Sequence, residues 1–152
     1  MLVGVISDTH GLLRPEVLPA LRGVAHILHA GDVGDAAILD ALRAIAPVTA
    51  IRGNVDVSGT CSRLSETELV ELGGVSIYML HDLGALDLDP MAAGISVVVS
   101  GHSHKPRMER RKGVLYFNPG SAGPRRFSLP VSLGLLEIAQ GRLEPRLIEL
   151  QA

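Results

Sequence analysis

The chain has no tryptophan, two tyrosines and two phenylalanines among 152 residues. Its core must therefore be Leu, Val, Ile and Ala rather than large rings. Cysteine is nearly absent as well. The single Cys61 excludes an intrachain disulfide and a cysteine-based zinc site, and it suits a reducing, cytoplasmic setting. Lysine is scarce, two against twelve arginines, which we read as compositional bias. No apolar run approaches the roughly 20 residues that span a bilayer, so no membrane partner is expected. The oily start LVGVI is too short for the apolar region of a signal peptide and runs into Asp8. A formal net charge of −2 offers no general attraction to nucleic acid.

What is present fits one soluble globular domain over residues 1–152: 47% hydrophobic, 20% charged, no internal repeat and no linker. The first third alternates. LVGVIS, AHILHA and VTAIR read as strands. Residues 15–22, with proline near the first turn, read as a short helix. Residues 36–46 read as a second, with Ile38, Leu39, Leu42 and Ile45 at helical spacing. That order favours parallel strands with crossover helices. The rest reads as hairpins. ELVEL and VSIYML flank Gly73-Gly74, RMERRKGVLYF turns at Lys112-Gly113, and SLGLLEIA and RLEPRLIEL turn near Gln140-Gly141. Together they predict two sheets packed face to face with helices outside.

The chemistry follows the strands. LVGVIS leads to Asp8 and His10, HILHA to Gly31-Asp32, VTAIR to Gly53-Asn54, SIYML to His81, and ISVVVS to Gly101-His102-Ser103-His104. Ligands in α/β sheets bind beyond the carboxyl ends of strands, so these ends are expected to converge. They would supply two aspartates, one asparagine and four histidines. That is too many donors for one tetrahedral ion and about right for two ions sharing a carboxylate. Two divalent ions, two aspartates and neutral histidines leave the site near +2, or about +1 with a bridging hydroxide, so it attracts an anion. Two ions roughly 3.5–4 Å apart activate water and clamp an in-line displacement at phosphorus. The residues point to metal-assisted phosphoester hydrolysis.

DTHG at 8–11, GD at 31–32, GNVD at 53–56, His81 and GHSH at 101–104 resemble the motif set of the calcineurin-like metallophosphoesterases. The small size, GNVD and NPGS at 118–121 are similar to its compact YfcE-like branch, which also includes the retromer scaffold subunit of eukaryotes. The resemblance implies a four-layer α/β/β/α sandwich of two mixed β-sheets flanked by helices. It also implies that Asp8, His10 and His104 hold one ion, that Asn54, His81 and His102 hold the other, and that Asp32 bridges. The cofactors would be two divalent metals, manganese first, with iron, nickel, cobalt or zinc as alternatives. The implied function is hydrolysis of phosphodiesters, and less readily monoesters, by a metal-bridging hydroxide. The alternative is a low-activity scaffold that binds protein partners. Two positions depart from the family. Val55 stands where active phosphatases usually carry a histidine, which leaves the general acid unassigned and favours acidic leaving groups. Asp82 stands where glycine is common, and either orients His81 or faces solvent.

Other residues carry less. Asp8 also suits a helix cap, and Asn54 a plain turn. Asp35 is the more natural cap for the second helix. His26 and His29 read as core or supporting histidines, and Cys61 as a small buried residue. Arg52 would face a phosphate or pair with Asp56. Asn118 reads as a turn residue. The basic segment 105–112 either steers phosphate-rich substrates or is a solvated hairpin face. It carries no interleaved aromatics, so a small phosphoester is the expected substrate rather than nucleic acid. Open hairpin edges are compatible with self-association.

Overall fold

In the computed structural model, which describes residues 1–152, ten strands form two five-stranded sheets. In chain order the strands are β1 (Leu2–Ile6), β2 (His26–His29), β3 (Val48–Ala50), β4 (Thr67–Leu72), β5 (Val75–Leu80), β6 (Val97–Val99), β7 (Arg107–Arg111), β8 (Val114–Asn118), β9 (Ser132–Ala139) and β10 (Arg142–Glu149). The first sheet runs β10-β9-β1-β2-β3 and the second β4-β5-β6-β8-β7. Both are mixed. β1, β2 and β3 are parallel, and so are β5, β6 and β8, while the flanking pairs are antiparallel.

Residue alternation fixes the layers. Val3 and Val5 of β1 face the second sheet, where they meet Ile77, Met79, Val97, Val99 and Phe117. Ile6 and Ile27 face the other way, onto Val17, Leu21, Leu39 and Leu42 of the helical layer. That layer holds α1 (Val17–Ala20) and α2 (Ala36–Arg43). Both are shorter than their sequence pattern. Pro19 lacks an N–H inside α1. α2 stops three residues early in a tight turn ahead of Pro47, a residue that disfavours helix before it. Asp35 caps α2, its Oδ1 accepting from Ala37 N–H at 2.9 Å.

The outer face of the second sheet is covered differently. Leu83, Leu86 and Leu88, from a 3-10 turn (Leu83–Ala85) and the chain after it, lie on Leu80, Val98 and Val114. No α-helix forms this fourth layer. The three hairpins turn at the anticipated pairs. Gly73-Gly74, Lys112-Gly113 and Gln140-Gly141 all have positive φ, as tight turns matched to strand twist require. No helix is long and apolar enough to cross a membrane.

Candidate metal centre

The parallel strands of each sheet end on the same side, and hydrogen bonds join the segments beyond them. Asp8 N–H donates to Gly31 O (3.0 Å), His10 N–H to Asp32 O (2.9 Å), and Gly101 N–H to His81 O (2.9 Å). His102 N–H donates to Asp8 Oδ2 (3.2 Å), joining the two sheets. These loops are strained. Asp8, His10, Asp32, His102 and His104 all have positive φ, between 47° and 72°, a region costly for residues with a Cβ and concentrated at functional sites. Gly53 and Gly101 are needed for close approach. A Cβ on Gly53 would lie 2.1 Å from Asp32 Oδ1, and one on Gly101 would lie 2.1 Å from Ser7 Oγ.

Two carboxylates organise the centre. Asp8 is fully buried. Its Oδ2 accepts from Ser7 Oγ (2.8 Å), while its Oδ1 has no hydrogen-bond partner. That free oxygen lies 3.8 Å from Nε2 of His10, 3.8 Å from Nε2 of His81 and 3.5 Å from Nε2 of His104. Asp32 Oδ1 accepts from Val55 N–H (3.0 Å). Its Oδ2 reaches both His10 Nε2 (3.3 Å) and His81 Nε2 (3.1 Å). Two groups result, Asp8–His10–His104 and Asp8–Asp32–His81, each with donor atoms within 4.8 Å of one another. Nε2 of His10, His81 and His104 is buried without a hydrogen-bond partner, a costly state for polar atoms. Donor atoms about 3 Å apart suit ligands that each stand about 2 Å from a shared ion. The residues fit divalent metal.

Charge adjusts accordingly. Burial pushes the Asp32 carboxyl up, but His81, the Val55 N–H and His10 outweigh it and hold the pKa at about 2. Burial pushes His81 down, yet Asp32, the Ala30 carbonyl and Asp8 leave it raised. His81 Nδ1–H donates to Ala30 O (2.7 Å), which turns Nε2 toward the carboxylates. Asp8 is the main influence raising His10, while burial lowers His104.

His102 stands outside the two tight groups. It and Asn54 are exposed and, with His81, line a cavity of about 470 Å³. The His102 ring meets His81 edge-on at 5.3 Å. Asp82 does not touch the His81 ring. Its Oδ1 caps Gly84 N–H (2.9 Å), and its Oδ2 lies 4.0 Å from His102 Nε2. Arg52 pairs with Glu66 (2.7 Å) rather than Asp56.

Asp56, Asn118 and Ser121 support the site in ways the sequence did not indicate. The buried Asp56 carboxylate accepts from Val33, Gly34 and Gly53 N–H (3.1, 3.0 and 2.8 Å), tying together the loops that carry Asp32 and Asn54. Asn118 Nδ2 donates to Gly101 O (3.0 Å) and its Oδ1 accepts from Gly120 N–H (2.9 Å). Ser121 Oγ donates to Asp8 O (3.1 Å). Their only sequence signal is membership of the GNVD and NPGS stretches. His29 is fully buried, and burial takes its pKa down to about 4. It is a supporting histidine, accepting from Gly31 N–H at Nδ1 (3.1 Å) and meeting Thr9 Oγ1 at Nε2 (3.0 Å). Cys61 is buried.

Known proteins resemble this chain in sequence and fold. The calcineurin-like phosphoesterase superfamily domain matches residues 1–141. A probable metallophosphoesterase of Methanocaldococcus jannaschii is 34% identical over 99% of this chain and 82% of its own length. Vps29 of Entamoeba histolytica, solved with bound Zn²⁺, superposes with a TM-score of 0.74 at 26% identity, covering 98% of this chain and 99% of that one. An archaeal phosphodiesterase shares the fold with a TM-score of 0.79 at 22% identity, covering 97% and 100%.

Proposed function

The chain belongs to the calcineurin-like phosphoesterase superfamily, and we propose that it is a phosphodiesterase working with two divalent ions. The observation that carries this reading is the set of buried, unpartnered ligand atoms around Asp8 Oδ1. Asp8, His10 and His104 would hold one ion. His81, Asn54 and His102 would hold the other, with Asp32 between them, its Oδ2 already in contact with His10 and His81. Bound there, such ions polarise phosphoryl oxygens and make water a competent nucleophile near neutral pH; manganese is the first candidate. The protein's own part is positional. Val55 N–H holds one Asp32 oxygen so that the other points inward. The Ala30 carbonyl orients His81, and Ser7 and the His102 N–H fix Asp8. Val55 offers an exposed aliphatic group where a proton donor would serve. The chain therefore favours esters whose leaving groups depart without protonation, and diesters over monoesters.

The test is hydrolysis of bis-p-nitrophenyl phosphate and p-nitrophenyl phosphate by metal-stripped protein, with manganese and other divalent ions added back. Diester cleavage should depend on metal and exceed monoester cleavage. In His104→Ala it should fall at least about a hundredfold, the range for loss of a positioned catalytic component. The second reading is a protein-binding scaffold. It is favoured by the exposure of Asn54 and His102, by Val55, and by the likeness to Vps29. Metal binding without turnover above His104→Ala would select it.

A further inference from the structure

The basic segment 105–112 divides into two structural roles. Arg110 donates to Leu143 O on β10 (2.7 Å). Arg111 lies 4.4 Å over the Tyr116 ring and pairs with Glu109 (3.3 Å). Arg110 thus ties the two sheets together and Arg111 packs within its own sheet. Lys105 and Arg107 instead line a cavity of about 680 Å³ beside the metal centre, together with His102, Asp82, Tyr116 and Asn118. Lys105 joins the hydrogen-bond network only through its backbone N–H, to Ser103 Oγ (3.2 Å). Its ammonium group has no acidic partner. Arg107 shares its one partner, Glu109, with Arg111.

This cavity and the 470 Å³ cavity meet at Asp82 and His102, which line both. Each lies within the size range of small-molecule sites. In the larger one Lys105 and Arg107 outnumber the single acid, Asp82. The smaller one holds Glu66, Asp82 and Asp87, and its only cation, Arg52, is already paired with Glu66. A diester phosphorus near His102 would thus carry one substituent toward a cationic cavity and the other toward an acidic one.

We propose that the larger cavity is a subsite for a second phosphate on one substituent of the diester, held by Lys105 with Arg107 behind it. The proposal rests on the phosphodiesterase reading and narrows its substrate class to diesters in which one arm is itself phosphorylated. The other arm is neutral or cationic. Lys105 is a specificity-determining residue here, since it meets the substrate away from the reacting atoms. A charge-assisted contact to phosphate is stronger than a neutral one, and a preference of about tenfold is expected from one such contact.

The experiment uses manganese-loaded protein and two ligands, thymidine 5′-phosphate and thymidine 3′,5′-bisphosphate, titrated by calorimetry. The bisphosphate should bind the wild type about tenfold tighter. In Lys105→Ala/Arg107→Ala that ratio should fall to about one. The p-nitrophenyl esters of the same two 5′-phosphates supply a kinetic counterpart, where the 3′-phosphate should lower KM in the wild type only. Equal binding of the two nucleotides by the wild type overturns the proposal, and so does a tenfold ratio that survives in the double variant. If neither ester is hydrolysed while the Lys105-dependent binding ratio holds, the phosphodiesterase reading fails and the anion subsite stands.

Discussion

Three residues test the site one side chain at a time. Val55 is 41% exposed and its backbone, not its side chain, holds Asp32. Val55→His should therefore cost little stability and add a proton donor. Turnover of diesters with alkyl leaving groups should rise at least about tenfold relative to p-nitrophenyl esters, below the full range of general acid catalysis. An unchanged ratio would mean that protonation does not limit the reaction. Asp56 is the reverse case, buried and accepting from three backbone N–H groups. Asp56→Asn leaves at least one donor facing an amide and should destabilise the fold by about 2–3 kcal/mol in urea. It should weaken metal binding too, because the loops carrying Asp32 and Asn54 lose their tie. His29 sets a pH dependence. Burial depresses its pKa from 6.5 to about 4; Asp8 and Asp56 counter this in part, His81 adds to it, and Asp32 opposes it. A depressed pKa means the unfolded chain binds the proton first. The stability His29 contributes is complete above pH 6.5 and drains away as pH falls toward 4, by about 3 kcal/mol in all. Comparing wild type with His29→Gln in chelator isolates this effect from the other histidines. The stability gap between them should shrink by about that amount between pH 7 and pH 4, and a gap flat with pH would remove His29 as the cause.

At the scale of elements, the site is a set of strand-end loops packed without slack. Gly101 shows how little room remains, since a Cβ there would stand 2.1 Å from Ser7 Oγ and 2.7 Å from Asp8 Oδ2. Gly101→Ala should keep a cooperative unfolding transition but lose at least about tenfold in metal affinity, the scale of damage to the support around ligands. Ser7→Ala in the same chain should restore part of it by removing the nearest obstacle, and calorimetric metal titration reads both. These loops were legible in the sequence because each follows a short apolar run, and three set a glycine before the candidate ligand. The hairpins were legible from their turn pairs. Less legible was anything set by distant contacts. The early end of α2 could be read from Pro47 only with the knowledge that Ile45 turns back onto Leu42. The Arg52–Glu66 pair depends on the chain after β3 folding back toward β4. The chain covering the outer face of the second sheet has no period to betray it. It is Leu83, Leu86 and Leu88 set among Asp and Gly. Asp56 was visible as a letter in GNVD, but its three donors come from two separate loops, which no local pattern encodes.

At the scale of the whole molecule, the centre is a clamp between two sheets. Asp8, His10, Asp32 and Asn54 follow strands of the first sheet, and His81, His102 and His104 follow strands of the second. Elsewhere the sheets are joined mainly by apolar contact, through Val3, Val5 and Leu28 against Ile77, Val97 and Phe117, with Arg110 reaching Leu143 O at one edge. At the site they meet through unpartnered polar atoms and left-handed backbone, both unfavourable without a ligand. Ions bound to the folded state alone should therefore raise stability by mass action, about 2.7 kcal/mol at a hundredfold excess over Kd. For a domain of this size that is roughly 5–10 °C in Tm. His104→Leu should remove the part of the rise that its ion supplies. Its metal-free Tm should equal or exceed that of metal-free wild type, because two buried nitrogens without partners are gone. Hydrogen exchange locates the effect. Manganese should slow exchange in residues 8–11, 31–34 and 53–56 of the first sheet and in 81 and 101–104 of the second, leaving the three hairpin turns unchanged. Protection confined to the loops of one sheet would mean that this sheet holds the ions by itself, and the clamp would be lost as an explanation of why a two-sheet fold puts strained loops at that end.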